Sequence, residues 1–179
     1  MVNKNINIEV IKKSLEGVSK FFDPTKSTYQ TLKNCIESNL TAEELKQELA
    51  KIGSTNDYPK EFQNFFYNCF EELKVLAEKD KEIKDTLGKI KEKNIELEQE
   101  MRKRNVEYKP EFVNNDEYLN MNYEQKKQYL ENITSTLETL TTRIEGVKKE
   151  KTSGEKFDEK LEQPIANQEL LDPVSIQEI

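Results

Sequence analysis

A long, uninterrupted heptad pattern constrains this 179-residue chain more than any other feature of its sequence. No proline occurs between Pro59 and Pro110, and core-type positions recur there at alternating steps of four and three. The positions on this pattern are Phe62, Phe66, Cys69, Leu73, Leu76, Asp80, Ile83, Leu87, Ile90, Asn94, Leu97 and Met101. We call this row of positions the seam. Such a repeat lies along one side of an α-helix and faces a partner helix, so the sequence predicts one long, paired helix.

Two polar residues interrupt the seam. Asp80 and Asn94 both fall on the first core position of the heptad, which is otherwise apolar. A polar side chain buried at that position lowers stability but fixes the register of the two helices. We therefore predict that Asp80 and Asn94 set the register. An exposed, poorly packed seam around them is an equally open alternative.

A second long helix is predicted after Asn122, which is a good N-cap residue. Its apolar residues repeat the three-four alternation and are Leu130, Ile133, Leu137, Leu140, Ile144 and Val147. Folded back from about residue 105, this helix would return the chain to about residue 76 at about 1.5 Å per residue. The sequence thus predicts a long antiparallel coiled-coil hairpin over 76–151, with its tip at about 106–122.

Three shorter helices precede the hairpin and form a predicted helical head over residues 6–75. The first carries the stripe from Ile8 to Phe22, and the third begins at Thr41 and Glu44, which have the spacing of a capping box. Residues 152–179 are predicted to be a flexible acidic linker and tail. The expected fold class is all-α, with a small helical head plus this hairpin.

The chemistry available to the chain is limited by its composition. There is no histidine, which excludes Ser-His-Asp catalysis and histidine-containing zinc sites, and two cysteines cannot form a four-cysteine metal site. Asp80 is the one acidic group on the seam, and the sequence shows no evident partner for it. We therefore predict no enzyme activity, no catalytic residue, no metal and no cofactor.

The charge and the start of the chain bear on partners and location. A net charge of −7 disfavours nucleic-acid binding, because it repels the phosphate backbone. No stretch has the length and apolarity of a membrane span or of a secretory signal, so we expect no membrane partner and a cytoplasmic location. The expected partners are other proteins, with a homodimer as one option.

The predicted tip offers aromatic candidates for partner binding: Tyr108, Phe112 and Tyr118. Aromatic residues at the end of a stalk often mark contact sites. Local packing of the connection on itself explains the same residues equally well, and both interpretations stay open here.

The last ten residues resemble the opening of a U-box, the metal-free relative of the RING domain in ubiquitin ligases. The residues that match in order are Leu171, Pro173, Val174, Ser175 and Ile176, whereas Glu178 stands where an aliphatic residue is usual. In that family the positions of Val174 and Ile176 contact the ubiquitin-conjugating enzyme. The resemblance implies partner binding by Leu171, Pro173, Val174 and Ile176, and a conjugating enzyme as partner only if a full box follows.

Two functions are therefore expected from the sequence. The first is a non-catalytic protein–protein interaction scaffold or adaptor built on the coiled-coil hairpin. The second is the substrate-binding or dimerising N-terminal region of a U-box ubiquitin ligase, cut off at the start of the box.

Overall fold

The computed structural model describes residues 3–52, 58–110 and 116–153. Within these ranges the regular structure is entirely helical, which confirms the all-α prediction. The helices are α1 (Ile8–Ser19), α2 (Ser27–Glu37), α3 (Ala42–Ala50), α4 (Lys60–Arg102), the 3₁₀ helix Glu117–Asn120, and α5 (Tyr123–Ser153). None of the described helices has the length and apolarity to cross a membrane.

Local capping explains where the short helices begin. The Asn7 side chain accepts a hydrogen bond from the Val10 amide at 2.8 Å and so caps α1. At α3 the Thr41 hydroxyl accepts from the Glu44 amide, and the Glu44 carboxylate accepts from the Thr41 amide at 2.8 Å. This confirms the capping box predicted from the sequence. Both caps satisfy amides that have no partner within the helix.

The chain divides into two compact units. Of the described residues, unit 1 comprises 3–52, 58–81 and 117–127. Its core combines one apolar face of each of α1, α2 and α3 with the first part of α4. The members of this core include Ile11, Leu15, Leu32, Leu45, Phe66, Leu73 and Leu76.

Unit 2 comprises the described residues 82–110, 116 and 128–153. The seam of α4 is buried throughout this unit, at Ile83, Leu87, Ile90, Asn94, Leu97 and Met101. The facing residues of α5 include Ile133, Leu140, Ile144 and Val147, all of them buried. The heptad pattern therefore predicted the buried side of α4 correctly. The burial of Asn94, which is 2% exposed, excludes the alternative of an exposed seam at that position.

The predicted antiparallel direction is wrong. In the predicted hairpin, Val147 and Lys148 would lie near residue 80 of the first helix. Instead, Lys148 pairs with Glu96 at 2.5 Å, and the Arg104 guanidinium donates to the Val147 carbonyl at 2.9 Å. The end of α5 thus lies beside the end of α4.

A second set of contacts in unit 2 fixes the direction. The Tyr108 hydroxyl donates to Asn94 of α4, and the Tyr108 ring lies against Arg143 of α5. Asn94 is thus linked through Tyr108 to Arg143, whereas Arg104, later in the chain, is bonded to Val147, which is later in α5. In unit 2 the two helices run in the same direction.

The connection between α4 and α5 is the physical reason for this difference. In the predicted hairpin, residues 106–122 form only the tip, and the second helix itself runs back along the first. In the structure Asn105, with a positive φ of 56°, ends the turn after α4, and the chain doubles back so that Tyr108 reaches Asn94. The described start of the connection therefore already turns back along α4, and within unit 2 α5 runs in the direction of α4.

A truncation in the buried seam tests the packing of unit 2. Leu87→Ala should lower the free energy of unfolding by about 2–5 kcal/mol, because it removes buried methyl groups and leaves a cavity. Lys84→Ala, at an exposed position of the same helix, is the matched control and should leave stability within about 0.5 kcal/mol. Urea unfolding followed by circular dichroism measures both. Equal midpoints for the Leu87→Ala variant and the unchanged protein would contradict a buried seam.

Candidate functional site

The two polar seam residues each have a partner that the sequence analysis did not identify. Asp80 lies in unit 1 and forms a hydrogen-bonded ion pair with Lys126 of α5. Its side chain is 12% exposed, and that of Lys126 is 0% exposed. The expectation that Asp80 has no basic partner is therefore wrong, as is an exposed seam at this position.

The Lys126 ammonium has further acceptors in unit 1. It donates to the carbonyl of Tyr118 at 2.7 Å and to that of Leu119 at 3.4 Å, both in the 3₁₀ helix. Its nitrogen also lies 5.9 Å from the centre of the Tyr118 ring. A fully buried lysine is rare unless its charge is compensated, and these groups provide the compensation.

Burial and attraction act in opposite directions on this ion pair. Burial raises the pKa of Asp80 above its usual value, and the charge and hydrogen bond of Lys126 oppose that rise. Burial likewise lowers the pKa of Lys126, opposed by Asp80. The second carboxylate oxygen of Asp80 is buried without a hydrogen-bond partner, so the carboxylate is only partly compensated. The arrangement is that of a structural ion pair.

Asn94 in unit 2 is 2% exposed, and its Oδ1 accepts from the Tyr108 hydroxyl at 3.3 Å. The Arg143 guanidinium lies 5.6 Å from the centre of the Tyr108 ring on another side. Burial raises the pKa of Tyr108 to about 12, although the Arg143 charge opposes the rise. The hydroxyl therefore stays protonated at neutral pH and can serve as the donor. The hydrogen-bond partner of Asn94 therefore comes from the connection after α4 and not from the buried face of α5.

The aromatic residues proposed for partner binding are distributed differently from the prediction. Tyr108 and Tyr118 are buried within their own units, at 3% and 6% exposure. This is the local-packing alternative of the sequence analysis, and it leaves neither ring at the surface. Phe112 lies outside the described residues, as do the four residues of the U-box-like tail: Leu171, Pro173, Val174 and Ile176.

An aromatic cluster in unit 1 presents a surface that the sequence analysis did not select. Phe22 contacts three rings, with centroid distances of 5.4 Å to Tyr58, 5.5 Å to Phe62 and 6.0 Å to Phe66. The Phe21 ring contacts the Phe62 ring at a centroid distance of 5.8 Å and a tilt of 43°, and Phe21 is 74% exposed. The sequence signal was the pair Phe21-Phe22, of which only Phe22 was assigned to the apolar stripe, and both residues lie after the end of α1.

Both cysteines are buried thiols in unit 1. Burial raises the pKa of Cys35 to about 11 and that of Cys69 to about 12, and the nearby carboxylates Glu48 and Glu72 respectively add to the rise. Since the thiolate is the nucleophilic form, these thiols are unreactive packing residues at neutral pH. Among the described residues no group of three or more acidic or cysteine side chains could hold a metal ion.

Comparison with protein-family models, with curated proteins and with solved structures finds no significant match for this chain.

Thiol labelling tests the burial of the cysteines. With both pKa values raised by about two units or more, the thiolate fraction at pH 8 should fall by roughly 100-fold or more, and burial slows labelling further. We expect Cys35 and Cys69 of the native protein to react with an aromatic disulfide reagent at least 100-fold more slowly than the same thiols in 8 M urea. The reaction of the unfolded protein in urea is the control. Absorbance of the released thiolate measures the rate. Rapid native labelling of both thiols would contradict this placement of Cys35 and Cys69.

Proposed function

We propose that this protein is a non-catalytic interaction adaptor that binds other proteins through the aromatic surface of unit 1. The observation that carries the proposal is the 74% exposure of Phe21, whose ring contacts that of Phe62. Exposed aromatic rings are enriched at the energetic centres of protein interfaces. The α4–α5 pair provides the framework, in place of the antiparallel hairpin expected from the sequence.

The contact of Phe21 with Phe62 favours binding for an entropic reason. A side chain that already rests on Phe62 loses little rotational freedom when a partner covers its other face. Burying an exposed phenylalanine is worth about 1.5–3 kcal/mol. Such a contribution is the size expected of one hot-spot residue, and further contacts around it must supply the rest.

Loss of captured partners on truncating Phe21 tests the proposal. The full-length chain, Phe21→Ala and Tyr67→Ala are compared by affinity capture with mass spectrometry. Tyr67 is the matched control, since it is another aromatic of unit 1, 65% exposed, and no ring contact fixes it among the described residues. We expect Phe21→Ala to weaken specific partners by roughly 10–100-fold, the equivalent of that burial term.

Two outcomes of this capture experiment count against the proposal. Identical partners for Phe21→Ala and the unchanged chain would show that Phe21 is not at the interface. If deletion of residues 152–179 removed every partner, binding would reside in the tail and not in unit 1. Equal melting temperatures for the compared variants show that any loss is not a loss of folding.

The U-box-like tail supports an alternative function as part of a ubiquitin ligase. In the resembling family, the positions of Val174 and Ile176 belong to a folded surface that contacts the conjugating enzyme. Two aliphatic side chains contribute at most about 1.5–3 kcal/mol each, and fixing a chain segment costs about 1–2 kcal/mol per residue. The tail alone therefore has too little binding energy to recruit that enzyme.

An in vitro ubiquitination assay tests the alternative. Residues 1–179, incubated with activating enzyme, ubiquitin and a panel of conjugating enzymes, should give no more ubiquitin chains than a reaction without the protein. The control variant Val174→Ala/Ile176→Ala should behave the same. Chain formation that needs both Val174 and Ile176 would establish the ligase function and contradict the expected absence of activity.

A further inference from the structure

Lys126, near the start of α5, has polar contacts to two other helices of unit 1. Its ammonium joins the Asp80 carboxylate on α4 to two carbonyls of the 3₁₀ helix, those of Tyr118 and Leu119. The side chain is fully buried. One cation therefore connects three elements of unit 1.

The carbonyls of the 3₁₀ helix depend on this cation. A helix of four residues leaves its last carbonyls without partners inside the helix, and buried carbonyls need a donor. The Met121 amide donates to the Tyr118 carbonyl at 3.2 Å, and Lys126 provides a second, charge-assisted donor. Without the ammonium, the Tyr118 and Leu119 carbonyls, which belong to the segment 117–127 itself, would lose this donor.

The segment also has two backbone attachments to the N-terminal residues of unit 1. The Tyr123 amide donates to the Ile6 carbonyl at 2.9 Å, and the Glu124 amide donates to the Lys4 carbonyl at 3.1 Å. Lys4 is exposed, and water can replace a hydrogen bond to an exposed carbonyl at little cost. Of these three attachments, the ion pair of Lys126 with Asp80 is the charged one, and breaking it from one side leaves a buried charge unpaired.

We propose that the Asp80–Lys126 ion pair is a lock that holds residues 117–127 on unit 1, so that breaking it opens this segment as one piece while α1–α3 stay folded. The alternative is that the ion pair stabilises unit 1 as a whole, with no separate opening of the segment. The two differ in where amide hydrogen exchange increases when the pair is broken. The proposal does not depend on the adaptor function.

Hydrogen exchange with mass spectrometry on the full chain separates these cases. We compare Asp80→Leu, Lys126→Met and the double variant, since each single change leaves one buried charge unpaired and the double change leaves neither. The single changes should accelerate exchange in 117–127 on the order of 10²–10³-fold, and exchange in α1–α3 by less than tenfold. Lys148→Met, which removes an exposed ion pair with Glu96 in unit 2, is the matched control and should leave 117–127 unchanged.

The double variant tests whether the two residues act as a pair. If they do, the double variant exchanges in 117–127 no faster than Lys126→Met alone, because the second substitution removes the charge that the first left unpaired. Acceleration equal to the product of the two single effects would overturn the lock. Equal acceleration in 117–127 and α1–α3 would also overturn it, because the pair would then stabilise the whole unit.

Native-state exchange of the unsubstituted protein keeps the test decisive if a variant does not fold. In low concentrations of denaturant, the lock predicts that 117–127 exchanges through an opening with a smaller denaturant dependence than α1–α3. The same dependence for both regions would mean that they open only together and would overturn the proposal.

Discussion

The burial of the Lys126 ammonium is the constraint to which unit 1 is most closely adapted. A charge that has lost its water must find a counter-charge and acceptors in the protein, or the folded state is destabilised by several kcal/mol. Asp80 supplies the counter-charge, and the 3₁₀ helix supplies the carbonyls. Neither element could move independently without leaving a charge or a carbonyl uncompensated. The ion pair thus helps to specify the position of residues 117–127 in unit 1, together with the buried Tyr118 and with Tyr123, which packs against the core.

The heptad pattern alone predicted the wrong direction for the second helix, because it contains no information on the direction of the partner. An apolar seam shows which side of a helix is buried, but the same seam can face a parallel or an antiparallel neighbour. The direction depends on the connection. In unit 2 the connection turns back after Asn105, so that Tyr108 lies beside Asn94 of α4. An antiparallel hairpin would have needed only a tight turn.

A sequence signal for the pairing did exist. Lys126 lies four residues before Leu130, so it continues the three-four alternation of α5 backwards by one position. It is a basic residue on one core stripe, and Asp80 is an acidic residue on the other. Burying both requires that they meet, and the antiparallel hairpin would have kept them apart. Pairing the two charges first would have placed the start of α5 beside Asp80.

The parts of the structure that the sequence predicted are those that depend on local or periodic rules. The capping box at Thr41 and the buried side of α4 need only neighbouring residues or a regular repeat. The exposed ring of Phe21 was missed for the opposite reason. It lies in the turn after α1 and depends on Phe62, which is distant in the chain. Non-periodic contacts of this kind are not contained in a helical stripe.

Unit 2 meets the same problem of a polar residue in its seam with neutral chemistry. Asn94 is buried, and the group that reaches it is a tyrosine hydroxyl from the connection, whose ring in turn lies against Arg143 of α5. A neutral hydrogen bond has a smaller cost of desolvation than an ion pair. In both units, therefore, the polar seam residue is bonded to a group from outside the seam of α4, while Asp80 Oδ2 and Asn94 Nδ2 are buried without a hydrogen-bond partner. Because each of these bonds needs one particular neighbour, both are consistent with the prediction that Asp80 and Asn94 set the register of the helices.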